Sequence, residues 1–472
     1  MIINKSTILN SDSYKFSQYL QDPEKIETRF SYIESRGGLW SQTVFFGLQM
    51  YLKEYLTKPI TQEDIDYAEP LIKAHGEPFN REGWEYILHK HNGYLPLRIK
   101  SAPEGLVIPV KNVLVTIENT DPNCAWLTSF VETSLLRGVW YPTTVCSNSY
   151  ESKKIILDYL MKTGDVSLID YKLVDFGSRG VSSFETAGIG GIAHLVNFKV
   201  TDNITALLYG REYYNIDVAG YSIPASEHSI ACSYAAITPK EIVLSNDSKN
   251  ELAYIRQMLK FLDKYPMVSI VGDAYDIYNF AELMGGIKEE IIEKTKDGKF
   301  VVLRPDTGNP PEVVTKCLQI LDKHFGSVVN DDKGFKVLNH VRVIQGDGIT
   351  QDTIDRILYR AMMAGYSADN ITFGQGGKLL QGVDRDTQKF AMKCSSIVVD
   401  DIEYGVFKAP ITDMGKESKK GRITLYKNDE GYFTDLEGRT DCVEVLQTVF
   451  ENGKLVKDYT FDEVRKNASM ML

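Results

Sequence analysis

The chain lacks the features that mark secreted, membrane-spanning or nucleic-acid-binding proteins. Its six cysteines, Cys124, Cys146, Cys232, Cys317, Cys394 and Cys442, include no CxxC pair. That excludes a zinc ribbon or a disulfide frame and reads as reduced core thiols. No apolar run reaches the roughly 20 residues that a membrane helix needs. No signal-peptide pattern opens the sequence, because Met1-Ile-Ile-Asn-Lys5 turns polar too soon. Basic residues are outnumbered, 53 Lys and Arg against 64 Asp and Glu, for a net charge of −11. That balance argues against a general binder of nucleic acid or of anionic membrane. Low-complexity linkers and tandem repeats are missing too. The expectation is a cytoplasmic protein with no nucleic-acid or membrane partner.

What is present is an ordinary globular composition over 472 residues, 43% apolar and 25% charged. That length suits two domains, or one barrel with a large extra layer. From about 171 to 390 apolar strands alternate with helices, and the strands end in charge or glycine. The most telling stretch is Phe300-Val-Val-Leu-Arg-Pro-Asp-Thr-Gly-Asn-Pro-Pro311. Its strand runs into Arg304, Asp306 and Gly308, and Pro310-Pro311 then opens a helix predicted to reach Phe325. Leu173–Gly180, Val268–Asp276, Val341–Gly348 and Ile371–Gly377 repeat the pattern. One such exit alone is more often a structural ion pair in a turn. Several together predict a ligand site at the strand ends of an α/β enzyme. Glycine lets backbone N–H groups approach a phosphate, helix N-termini favour anions, and carboxylates hold ribose hydroxyls or a divalent cation. The set reads as a site for a phosphorylated sugar.

The flanks differ in character. Residues 95–118 alternate apolar and polar positions, with turns at Pro103-Glu104-Gly105 and Val110-Lys111-Asn112. Helices are expected around Phe16–Leu20, Val44–Tyr55, Glu82–His91, Cys124–Leu136 and Ser147–Met161. The pattern turns strand-rich again after Ser395. The fold expected is an irregular α/β barrel over 166–390. A second, β-rich α+β domain would be built from 1–165 together with 391–472. Ile397-Val-Val-Asp-Asp-Ile-Glu-Tyr-Gly405 imitates a phosphoribosyl-pyrophosphate loop, but no helix start follows, so Asp400-Asp401 reads as a turn.

Blocks along the chain resemble, in order, the nicotinamide phosphoribosyltransferases. They include Asp12-Ser-Tyr-Lys15, Asp175-Phe-Gly-Ser-Arg-Gly-Val-Ser-Ser183, Pro224-Ala-Ser-Glu-His228, Asp273-Ala-Tyr-Asp-Ile-Tyr-Asn279, Arg304-Pro-Asp-Thr-Gly-Asn-Pro310, Ile344-Gln-Gly-Asp-Gly348 and Ser418-Lys-Lys-Gly-Arg422. The resemblance implies transfer of phosphoribose from phosphoribosyl pyrophosphate to nicotinamide, with Mg²⁺ and optional coupling to ATP. It also implies a homodimer whose sites are shared across the interface. Arg179, His228 and Arg304 would face the diphosphate, and Asp306 with Asp273 would hold ribose hydroxyls or metal. Mg²⁺ would arrive with the diphosphate, and Asp273 or Asp306 is the candidate protein ligand.

The resemblance further assigns Gly346, Asp347, Gly376, Gly377 and Arg385 to the product's ribose and phosphate. Phe176 and a partner's Tyr14 would sandwich the pyridine, Asp202 would read its carboxamide, and Ser222 and Ser269 join the substrate-binding set. Arg36, Lys393, Lys408 and Lys416 would add positive charge. His228 would carry a transient phosphoryl group, with Glu227 orienting its imidazole. Each residue has a plainer reading: Phe176 as core, Arg179 as a turn cap, Asp202 as the cap of a helix over Ile204–Tyr213. Ser178 and Lys378 stand where the family commonly has an aromatic residue and a glycine. Three other readings remain: a nicotinate phosphoribosyltransferase, a binding barrel without catalysis, and a signalling homologue.

Overall fold

Between residues 173 and 375 five short apolar runs end in a polar residue or valine, and each forms a strand. In the computed structural model, which describes residues 5–242, 245–412 and 417–469, these strands make one parallel sheet. Its order is Leu173–Asp175, Ile371–Gln375, Val341–Gln345, Phe300–Arg304, Met267–Val271. Two extended segments close it. Thr201 bridges Asp175, Val200 bridges Tyr221, and Ala225 bridges Ser269, all parallel. The ring is hydrogen-bonded at each join: Asp202 N to Asp175 O at 3.0 Å, Thr201 N to Tyr221 O at 2.9 Å, Ser269 N to Pro224 O at 2.9 Å. The result is an irregular barrel, and its strands have two buried faces.

Side-chain alternation sorts those faces. Val174, Val302 and Ile344 point inward, packed with Phe176, Val200, Ile223 and Met267. Leu173, Val301, Leu303, Val343, Ile371 and Phe373 point outward, against Tyr254, Phe280, Leu318 and Leu358. Full burial of each such side chain contributes about 1.5–3 kcal/mol. Helices follow the strands at capped starts. Asp276 accepts Tyr278 N and Asn279 N ahead of Ile277–Gly286, Pro310 opens Pro310–Phe325, and Thr350 and Thr353 form a capping box ahead of Gln351–Met363. This unit comprises Asn148–Leu208 and Val218–Gly382.

The other unit holds the residues up to Ser147, Tyr209–Asp217 and those from Val383 onward. Its centre is a seven-stranded antiparallel sheet, ordered Ile402–Gly405, Phe390–Val399, Ile26–Ser35, Val113–Asn119, Leu97–Ser101, Gln447–Glu451, Lys454–Leu455. N- and C-terminal segments therefore interleave, since Ile26–Ser35 lies between Val113–Asn119 and Phe390–Val399. Asp400 and Asp401 form the hairpin turn before Ile402, with φ of 49° and 58°. A two-residue hairpin needs positive φ at both positions, and short acidic side chains tolerate it.

Local expectations met two surprises. The helix expected across Val44–Tyr55 begins only at Leu48, after Gly47 at φ 98°, and turns into a π-helical segment at Leu52–Leu56. The helices expected at Cys124–Leu136 and Ser147–Met161 form as Ala125–Phe130 and one long helix, Glu132–Thr163, which keeps Pro142 inside it.

Candidate active site

The strand ends of the barrel gather charge. Arg304 closes its strand, Pro305 breaks it, and Asp306 projects from the turn that Gly308 (φ 89°) allows. Burial raises the Asp306 carboxyl above the usual range; Arg304 and His228 oppose the shift, while Asp273 and Asp347 add to it. His228, first residue of the helix His228–Ala236, places Nε2 2.9 Å from Asp273 Oδ1. The Asp273 side chain is 2% exposed against 42% for His228. A buried carboxylate therefore orients an accessible imidazole through its Nε2. Glu227 was the expected orienting group, but its carboxylate accepts the Ser229 hydroxyl instead. Among the described residues, two buried polar atoms at this rim have no partner, Asp273 Oδ2 and Arg304 Nε. Orphaned polar atoms cost about 1–3 kcal/mol each, a cost that a bound ligand removes.

A second cluster adjoins it on the same barrel. The Phe176 ring lies against two glycines: a Cβ at Gly374 would come within 2.0 Å of the ring, and one at Gly346 within 3.4 Å. Phe176 is half-buried among the inward-facing residues, so part of its ring belongs to the core and part is left accessible. Gly180 and Gly377 meet backbone to backbone, a Cβ on Gly180 falling 2.7 Å from Gly377 Cα. Gly376 and Gly377 open the short helix Gly377–Leu380, and Ser269 is buried in its strand.

Asp202 accepts the Ser222 hydroxyl at 2.6 Å. The residue keeps solvent contact, yet the protein around it desolvates the carboxyl and raises it above the usual range against the pull of Ser222, Arg304 and Arg179. The helix after it is capped by Asn203, not Asp202: Asn203 Oδ1 accepts Ala206 N at 3.4 Å. Asp202 is thereby free of the capping duty expected of it.

The remaining expected residues belong to the other unit. Lys393, opposite Tyr32 in the sheet, is half-buried; burial lowers its ammonium pKa, Glu132 opposes that, and Arg36, Lys408 and Lys15 reinforce it. Arg36 keeps a buried Nε without a partner among the described residues. This is a local concentration of cations in an acidic chain. Tyr14 is 55% exposed beside Lys15, whose ammonium lies 5.2 Å from its ring centroid. Arg385 is exposed and pairs with Asp386. Lys416 lies outside the described residues.

Sequence reading passed over the buried polar groups beneath the rim: Asp175 as an individual residue, Asn203, Gln345 and Gln375. Gln345 and Gln375 each keep an Oε1 without a partner among the described residues. A polar residue ending an apolar strand was the available signal. His91, Asp121 and Cys124 bring possible ligand atoms within 4.8 Å of one another. Asp121 is already engaged there by Tyr86, His91 and Asn123, and the Cys124 thiol is pushed up to about 12 by burial. That grouping therefore reads as a structural hub.

A barrel that collects orphaned cationic and anionic groups at its strand ends is the framework of an enzyme acting on phosphorylated substrates. Known proteins narrow the class. The sequence pattern described as the nicotinate phosphoribosyltransferase (NAPRTase) family matches residues 171–454, and the nicotinamide phosphoribosyltransferase N-terminal domain matches 6–99. The nicotinamide phosphoribosyltransferase of Xanthomonas campestris is 48% identical over 98% of this chain and 97% of its own. That of Acinetobacter baylyi is 30% identical over 98% and 96%. The solved nicotinate-nucleotide pyrophosphorylase of Pyrococcus furiosus shares the fold, with a TM-score of 0.60 at 14% identity over 99% of this chain and 96% of that one. The chain belongs to the nicotinate phosphoribosyltransferase family.

Proposed function

We propose that the barrel transfers phosphoribose from phosphoribosyl pyrophosphate to nicotinamide, yielding nicotinamide mononucleotide and pyrophosphate, a step of NAD salvage. The observation that carries this reading is one rim bearing both an aromatic platform beside a carboxylate–hydroxyl pair, Phe176 with Asp202–Ser222, and a diphosphate-ready charge set, Arg304, Asp306 and Asp273–His228. The ribose C1–oxygen bond to pyrophosphate breaks as the pyridine nitrogen approaches, so the ribose becomes oxocarbenium-like and the leaving group gathers charge. Arg304 and Arg179 attract the diphosphate, and Asp306 orients ribose hydroxyls and offsets the positive charge on the ring. Gly346, Asp347, Gly376, Gly377 and Arg385 accept the product's ribose and phosphate, Ser269 lines the barrel interior, and Phe176 stacks on the pyridine. Asp202 accepts the carboxamide N–H and repels a carboxylate, which favours nicotinamide over nicotinate.

The unpartnered Asp273 Oδ2 and the Asp306 carboxyl suit Mg²⁺. Bound there, the ion would neutralise diphosphate charge. ATP is the coupling substrate we infer for His228, whose exposed imidazole would take the γ-phosphoryl group as ADP leaves. A homodimer in the cytoplasm completes the reading. It is supported by the outward apolar groups of the antiparallel-sheet unit, Leu39, Ile402, Tyr404, Phe407 and Ile411, with Ile411 99% exposed. Arg36, Lys393, Lys408 and Tyr14 would then serve a site shared with the partner. Incubation with phosphoribosyl pyrophosphate, Mg²⁺ and nicotinamide should release nicotinamide mononucleotide and pyrophosphate in equal amounts. No product under those conditions, with or without ATP, contradicts the proposal.

A further inference from the structure

Asp175 ends its strand fully buried and touches two different loops. Its Oδ1 accepts Gly177 N at 2.7 Å, and its Oδ2 accepts the Asn203 side-chain amide at 3.0 Å. Its backbone oxygen accepts Asp202 N at 3.0 Å. Gly177 immediately follows Phe176, and Asn203 immediately follows Asp202. Asn203 is fixed in turn. Its amide donates to Ala187 O at 2.9 Å, and it packs so closely on Gly191 that a Cβ there would come within 2.4 Å of Asn203 Nδ2. Phe176 is held from its other side by its N–H to Gln375 O at 2.9 Å.

We propose that Asp175 is a positioning residue for the pyridine acceptor: one buried carboxylate ties the loop bearing the stacking ring to the loop bearing the carboxamide-reading aspartate. The inference rests on the nicotinamide reading of this site and deepens it. A carboxylate suits the task because it accepts on both oxygens, whereas an amide would turn its own NH₂ toward one of the two donors. Burial pushes this carboxyl up to about 6, and nearby Asp202 adds to the shift, which the Gly177 and Asn203 bonds oppose. The ionised form is retained near neutral pH at a cost, as expected of a group kept for what it holds in place.

The test separates nicotinamide binding from phosphoribosyl pyrophosphate binding. Wild-type protein is assayed first; if it makes no nicotinamide mononucleotide, the functional reading itself falls. Given activity, Asp175→Asn should raise KM for nicotinamide roughly tenfold or more while KM for phosphoribosyl pyrophosphate stays within about twofold. Asn203→Ser, which cuts the same tie and leaves the carboxylate, should show the same split and decides the matter if Asp175→Asn does not fold. Equal rises in both KM values, or no change in either, would make Asp175 a general scaffold residue and overturn the proposal.

Discussion

In the proposed function, Asp202 concentrates the question of substrate choice in one side chain. Ser222 holds one oxygen, and Arg304 and Arg179 lie close enough to favour its ionised form. Burial works the other way, so the carboxyl takes up its proton above the ordinary carboxylate range. Protonation removes the repulsion toward a pyridine carboxylate. Nicotinate turnover relative to nicotinamide should therefore increase as pH falls, and Asp202→Asn should make that ratio high and nearly independent of pH. Parallel initial-rate profiles for the two pyridines check both statements. Asp175 has a different pH signature, in stability. Its folded carboxyl is raised from 3.8 to about 6, so between those values the folded state binds more protons than the unfolded state. Its contribution to stability is thus greatest at low pH and declines as pH rises through that window. Across the same window the thermal midpoint of Asp175→Asn should fall less with rising pH than that of wild type, because the variant lacks the titration.

Strand Ile371–Gln375 shows how an element makes room for a ring, that of Phe176. Its middle alternates Ile371 and Phe373 outward with Gly374 inward, and Phe176 occupies the space that a Gly374 side chain would fill. Gly374→Ala must displace either the ring or the strand, at about 1–3 kcal/mol for an overpacked site. Nicotinamide KM should rise with a modest fall in thermal midpoint; an unchanged KM would mean that the ring is not the stacking surface. The strand–helix rhythm that builds the barrel was legible in the sequence, because apolar strands, proline starts and capping residues are local signals. Arg304 and Asp306 stood out for the same reason, each sitting at a strand exit, whereas His228 was singled out only by the family resemblance. The partner of His228 was not legible. Glu227 is adjacent in sequence, whereas Asp273 is 45 residues away and follows the neighbouring strand, which the Ala225–Ser269 bridge brings alongside so that the two groups meet at 2.9 Å. The cap Asn203 was likewise overshadowed by Asp202, one residue away, since either residue type caps a helix. Isolated bridges such as Ala225–Ser269 have no periodic pattern to read, so the closing segment from Tyr221 to Ala225 was invisible until the ring was built.

For the whole molecule, the proposal rests on two groups of residues, a barrel rim and a cationic region of the antiparallel-sheet unit around Arg36, Lys393 and Lys408. If a homodimer shares its sites, two dead chains should rescue each other. Tyr14→Ala and Asp306→Ala chains, each inactive alone, should regain roughly a quarter of wild-type activity when mixed dimers form at random, because each mixed dimer contains one intact site. Mixed dimers that form and stay inactive would contradict site sharing. The most direct test of the central claim is a competition: equal nicotinamide and nicotinate with limiting phosphoribosyl pyrophosphate in one tube, with both mononucleotides quantified. A carboxylate facing a carboxylate at contact distance in a partly desolvated recess predicts nicotinamide mononucleotide in excess by on the order of 100-fold or more. Equal amounts, or an excess of the nicotinate product, would contradict it.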